Sequence, residues 1–179
     1  MKYSRKKNRL KYYDYSRNNY YFITICTKFS ENIFGEIING ESVLNKYGEV
    51  VNKRLLWLEK QYFYIKLDEY IIMPNHIHVL MKIDYQHVLV KDSLKSIRMR
   101  TTQELSLTMH SRRHNLLSKV IAALKMTSSK LIHLEGLSNF KWQRSFYDHV
   151  VKDKEKLIKI RKYIKSNSVI WQRDRNNKK

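Results

Sequence analysis

The chain has 179 residues, enough for one domain with a sizeable core, and 42% of them are hydrophobic. The 36 Lys and Arg outnumber the 16 Asp and Glu, giving a formal charge of +20 that favours a polyanionic partner, nucleic acid first. The single cysteine, Cys26, excludes an internal disulfide framework and a cysteine-based zinc site. No apolar run approaches the roughly 18 residues that span a membrane. The basic start MKYSRKKNRLKYYDYSR lacks the apolar stretch of a signal peptide, so no membrane association and a reducing, cytoplasmic setting are expected.

In chain order, residues 1–19 are basic and tyrosine-rich and read as an N-terminal arm. YYFITICTK (20–28) is β-branched and aromatic, a strand. IFGEII (33–38) is a second short strand, and NGE (39–41) is a hairpin-like turn signal. From Ser42 to about Gln61, Val43, Val50, Val51, Leu55 and Leu58 recur at helical spacing. YIKLDEYIIM (64–73) and HIHVLMKI (76–83) read as a hairpin turning at Pro74-Asn75. Residues 84–115 lose the pattern and carry Lys91, Lys95, Arg98, Arg100, Arg112 and Arg113, a basic insertion. Asn115 can cap a second helix with a stripe of Leu116, Leu117, Val120, Ile121 and Leu124, stopped near Gly136. FKWQRSFYDHVV (140–151) reads as a strand. Asp153 can cap a last helix carrying Leu157, Ile160 and Ile164, and the basic tail 172–179 is expected to fray. The order β-β-α-β-β-α-β-α predicts a single α+β domain, an antiparallel sheet with helices packed on it.

Three stretches could carry chemistry. In MPNHIHVL (73–80), strand alternation turns His76 and His78 to one face and Ile77, Val79, Met81 and Ile83 to the other. Paired imidazoles suit a divalent metal, although half-exposed strand histidines would look the same. In KIRKYIKSNSVIW, Tyr163 and Asn167 are four apart and share a helix face. They read either as nucleophile beside ligand or as a packed tyrosine and a helix cap. In WQRSFYDHVV, Trp142, Phe146 and Tyr147 alternate with Gln143, Arg144 and His149. That pattern suits base stacking with phosphate contacts, and equally an amphipathic edge strand.

Taken together, MPNHIHVL, LKMTSSKL, WQRSFYDHVV and KYIKSNSVIW in this order resemble the single-tyrosine HUH transposases, the IS200-like group, most of all the REP-associated tyrosine transposases. The resemblance runs from Tyr20 to Trp171. It implies a ferredoxin-like (RRM-like) fold, with His76 and His78 as the two histidines of the HUH motif, binding Mg²⁺ or Mn²⁺. It makes Tyr163 the nucleophile and places Asn167 where a polar side chain completes the metal site. Asn167-Ser168 departs from the Asn-Pro usual in that branch, and the 84–115 segment is longer than its usual linker.

The implied activity is metal-dependent cleavage and rejoining of single-stranded or hairpin DNA through a 5′-phosphotyrosine ester. The phenol, with an ordinary pKa of about 10, needs activation. Exchange of one phosphodiester for another requires no nucleotide, and no phosphate-binding glycine loop is present. Arg98, Arg100, Arg112, Arg113, Lys125, Arg144 and Lys165 are the candidate DNA contacts. The rivals are a non-catalytic single-stranded nucleic-acid-binding module with an RRM-like sheet, and a metal-dependent hydrolase using water; a helix-turn-helix regulator fits the strands poorly. Tyr147 is a rival nucleophile. Monomer and homodimer both remain open.

Overall fold

The computed structural model describes residues 13–15, 17–84, 116–174 and 176–177. Most of the 1–19 arm, nearly all of the 84–115 insertion with Arg98, Arg100, Arg112 and Arg113, and the helix cap read at Asn115 lie outside the described residues.

Four strands form one antiparallel sheet: β1 (Asn19–Cys26), β4 (Ile65–Met73), β5 (His76–Ile83) and β6 (Tyr147–Val151). Their order in the sheet is β4-β5-β1-β6. Helix α1 (Lys46–Gln61) connects β1 to β4, and α2 (Leu116–Leu134) precedes β6. This is the βαββαβ arrangement of a ferredoxin-like fold, and the α+β expectation holds. A last helix, α3 (Lys154–Ser166), follows β6 and packs back over β4 and β5.

The helices divide between the two sheet faces because the strands alternate. Ile77, Val79, Met81 and Ile83 share one buried cluster with Val51, Leu55 and Leu58 of α1 and Leu117, Val120, Ile121 and Leu124 of α2. Leu80 of β5 clusters instead with Val151 and Ile164, and Leu157, Ile160 and Tyr163 of α3 pack against it. The β5 alternation read from sequence is therefore the actual division of the molecule.

Two element boundaries differ from the sequence reading. Asn39 (φ 51) and Gly40 (φ 81) both have positive φ, as a tight hairpin turn of mirror-image type demands. That turn needs a return strand, so β2 (Gly35–Ile38) pairs with β3 (Glu41–Leu44), and Val43 belongs to β3 rather than to a helix. The helix starts four residues later than expected, where Asn45 Oδ1 accepts the N–H groups of Tyr47 and Gly48. Gly48 is needed there because a Cβ would come within 2.2 Å of the Phe34 carbonyl. In the 140–151 stretch only Tyr147–Val151 is a strand. Trp142 makes a single bridge to Thr27, and its buried indole N–H donates to Ser128 Oγ at 3.0 Å. Among the described residues no helix is long and apolar enough to cross a membrane.

Candidate active site

Pro74 and Asn75 form the two-residue loop between β4 and β5, with Met73 paired to His76. A proline tolerates this place because the loop asks for no ladder hydrogen bond from it. Its carbonyl accepts the N–H groups of Ile33 and Phe34 at 2.8 and 2.9 Å, which ties the loop to the β2 side. The pleat then delivers His76 and His78 to the face covered by α3, at 0% and 1% exposure. They are not half-exposed strand residues.

Each imidazole is anchored through Nδ1. His76 Nδ1 lies 2.8 Å from Asn75 Oδ1, and His78 Nδ1 lies 2.9 Å from Thr24 Oγ1 on β1. Phe22 stacks on His78 with ring centroids 5.3 Å apart. The two Nε2 atoms converge to 3.1 Å. Two imidazole nitrogens this close share either a proton, as one ring's N–H donates to the other's lone pair, or a metal ion. Two metal–nitrogen bonds of about 2.1 Å at a right angle would set them about 3 Å apart.

The last helix brings the tyrosine to the same point. Its stripe of Leu157, Ile160 and Ile164 seats α3 on the sheet. Tyr163 then places its hydroxyl 3.3 Å from His78 Nε2 and 3.4 Å from Asp174 Oδ2. One turn on, Asn167 caps α3, fully buried, and its Nδ2 donates to Asp174 Oδ2 at 3.1 Å. Asn167 Oδ1 is buried without a hydrogen-bond partner among the described residues. A buried orphan acceptor is costly unless a cation or water meets it.

Asp174 is the residue that the sequence analysis missed. After α3 the chain turns through 167–170 and a short 3-10 helix, Trp171–Arg173, then drops Asp174 under Asn167. His76, His78 and Asp174 offer ligand atoms that all lie within 4.8 Å of one another, and all three residues are buried. Burial would raise the Asp174 pKa. The N–H of Asn176, the Asn167 amide and the two nearby imidazoles outweigh it and hold the carboxyl below its ordinary value. The described part of the expected fraying tail is thus docked on the site, with Asn176 carbonyl accepting from Asn75 Nδ2 at 2.8 Å. One signal was available: Asp174 is the sole acidic residue after Glu155.

Two imidazole nitrogens and a carboxylate form a donor set of the kind that holds a divalent metal ion, and the Asn167 amide lies against that carboxylate. Lys125 reaches from α2 to the carbonyls of Gln143 and Ser145, both at 2.9 Å, and burial pushes its pKa down to about 8. Arg144 is exposed beside that turn, and Lys165 is exposed on α3 with Glu69 at 2.9 Å. Tyr147 pairs with Thr24, which pairs with His78. It therefore lies on the histidine face but two strands away, about 10 Å at ordinary strand spacing. Tyr147 and His149 are exposed, whereas Val151 on the same face is buried against Ile164, so the cover of α3 ends partway along β6.

Buried histidines, a carboxylate and a tyrosine on a ferredoxin-like sheet define a protein with a candidate metal-and-tyrosine site. No family model matches the chain. An uncharacterized protein of Haemophilus influenzae is 31% identical over 172 residues, spanning 95% of this chain and 91% of that one. The chain belongs to the same family as that protein. Among solved structures, a REP-associated tyrosine transposase bound to a REP hairpin is similar over 90% of this chain and 73% of its own, with a TM-score of 0.53 and 14% identity. At that identity the likeness establishes a shared, transposase-like fold.

Proposed function

We propose that the chain is a metal-dependent, single-tyrosine DNA endonuclease and transposase that cleaves and rejoins single-stranded or hairpin DNA. The observation that carries the reading is the convergence of the Tyr163 hydroxyl on His78 Nε2 and the Asp174 carboxylate, inside the buried His76–His78–Asp174 group. The REP hairpin held by the structurally similar transposase supports a hairpin substrate, and the +20 charge supports salt-dependent binding to phosphates.

His76, His78 and Asp174 would hold the metal, with Asn167 Oδ1 as a further donor. When bound, the metal would polarise the scissile phosphate and offset its developing charge. Tyr163 Oη forms a bond to phosphorus as the P–O3′ bond breaks. The phenolic proton leaves along its hydrogen bond to Asp174 Oδ2 and is passed on, so that the departing 3′-oxygen gains one proton for the one that the phenol loses. The product is a 5′-phosphotyrosine ester and a 3′-hydroxyl, and attack by a 3′-hydroxyl reverses the step. The open part of the sheet beside Tyr163, with Tyr147, His149 and Phe22, would offer stacking surfaces for unpaired bases.

The test is a denaturing gel of the protein with labelled hairpin-bearing single-stranded DNA and Mn²⁺, with and without chelator. A metal-dependent protein–DNA band, absent in Tyr163→Phe, is expected. Cleavage without the band would indicate a hydrolase. Binding with neither would indicate a nucleic-acid-binding module, the reading favoured by the exposed Tyr147 and His149.

A further inference from the structure

We infer that Asn75 is a positioning residue that fixes the tautomer of His76 and holds the segment bearing Asp174 over the histidines. The inference rests on the reading of His76 as a metal ligand, and it gives Asn75 a role beyond that of a turn residue.

A carboxamide has one end that only donates and one that only accepts. Asn75 Nδ2 donates to two carbonyls, Ser30 O at 3.1 Å and Asn176 O at 2.8 Å. Carbonyls cannot donate, so the amide has a single orientation. Its Oδ1 is thereby turned to His76 Nδ1 at 2.8 Å. An amide oxygen cannot donate, so Nδ1 carries the proton and Nε2 carries the lone pair. Nε2 is the nitrogen that faces His78 Nε2. Asn75 is 1% exposed, so bulk water does not replace these partners. Ligand histidines commonly owe their orientation to such an outer partner.

The same amide links segments distant in sequence. Phe29 (φ 62) and Ser30 (φ 60) both adopt left-handed backbone, which is uncommon for non-glycine residues and costly in succession. That conformation presents the Ser30 carbonyl to Asn75. On the other side, Asn176 gives its carbonyl to Asn75 and its N–H to Asp174 Oδ1 at 2.6 Å. A continuous set of bonds therefore runs from the loop after β1, through Asn75, to the carboxylate.

Two substitutions separate the two tasks. Asn75→Asp keeps an acceptor for His76 and removes both donors. Asn75→Leu removes everything. The readouts are ¹⁵N NMR of the histidine rings in metal-free protein, hydrogen exchange of a peptide covering 171–177, and Mn²⁺ titration. Wild type should show His76 protonated at Nδ1. Asn75→Asp should keep that tautomer while exchange at 171–177 rises at least about tenfold. Asn75→Leu should populate both tautomers and lose about 10- to 100-fold in Mn²⁺ affinity. His76 protonated at Nε2 in wild type would overturn the proposal. So would unchanged exchange in the isosteric Asn75→Asp, which keeps the test decisive even where the leucine variant does not fold. Absence of Mn²⁺ binding by wild type would sink the metal reading alone, and the tautomer and exchange results would then decide this proposal by themselves.

Discussion

From His76 to Met81 the two faces of β5 are buried to the same degree by opposite chemistry. Below the sheet, Ile77, Val79, Met81 and Ile83 meet α1 and α2 through volume alone. Above it, His76 and His78 meet Asn75, Thr24, Tyr163 and the Asp174 carboxylate. An apolar face tolerates any close-packed neighbour. A buried polar face loses about 1–3 kcal/mol for each group left unpaired, so its partners must be specified individually. The lower layer therefore supplies the stability that permits the upper layer to keep a polar cluster dry. Loss of function and loss of stability should separate by face.

The largest expected effect is Tyr163→Phe. Its hydroxyl contacts are long, at 3.3 and 3.4 Å, so unfolding free energy should move by less than about 0.5 kcal/mol. Covalent adduct on a denaturing gel should disappear entirely. Next is Ile77→Ala on the lower face. Deleting a fully buried isoleucine should cost about 2–5 kcal/mol in urea unfolding. The protein that remains folded should still bind Mn²⁺ as wild type does. Third is His78→Ala, which should lower Mn²⁺ affinity at least about tenfold, worth about 1.4 kcal/mol at the metal. Its unfolding free energy should fall less than that of Ile77→Ala. The separation fails if Ile77→Ala changes metal affinity, or if His78→Ala is the less stable of the two.

Most of this division could be read from the sequence, because alternation in a strand and 3.6-residue spacing in a helix are local properties. They placed His76 with His78, gave the last helix its Leu157–Ile160–Ile164 stripe, and put Tyr163 on one face with Asn167. What could not be read depends on long-range contact. Asp174 joins the histidines only because the chain reverses after Asn167, and its surroundings of Arg and Lys suggested a solvated tail. Asn75 looked like turn chemistry, and nothing in the sequence reveals that its amide faces Ser30 and Asn176. Val43 was assigned to a helix because a short return strand has too few residues to declare its period. Trp142 looked available for stacking, yet its partners are Phe34, Phe140 and Ser128 in the core.

The smallest expected effect concerns how α3 is held on the upper face. The β4–β5 register shifts between Leu67 and Glu69, a bulge that gives β4 an extra residue there. Arg161, two residues before Tyr163, makes a two-pronged contact with Asp68, Nε to Oδ1 at 2.7 Å and Nη2 to Oδ2 at 2.6 Å. Lys165 meets Glu69 at 2.9 Å, but its side chain is 67% exposed against 38% for Arg161. Exposure screens a charge pair and geometry strengthens it, so the two pairs should differ. Arg161→Ala should cost about 1 kcal/mol, less at high salt, and Lys165→Ala under about 0.5 kcal/mol. If Lys165 touches a phosphate, its removal should also reduce the salt slope of DNA binding by about one. Equal and large losses from both substitutions would mean that charge, rather than Leu157, Ile160 and Ile164, seats the tyrosine helix. The upper face would then resemble the lower one far less than their equal burial suggests.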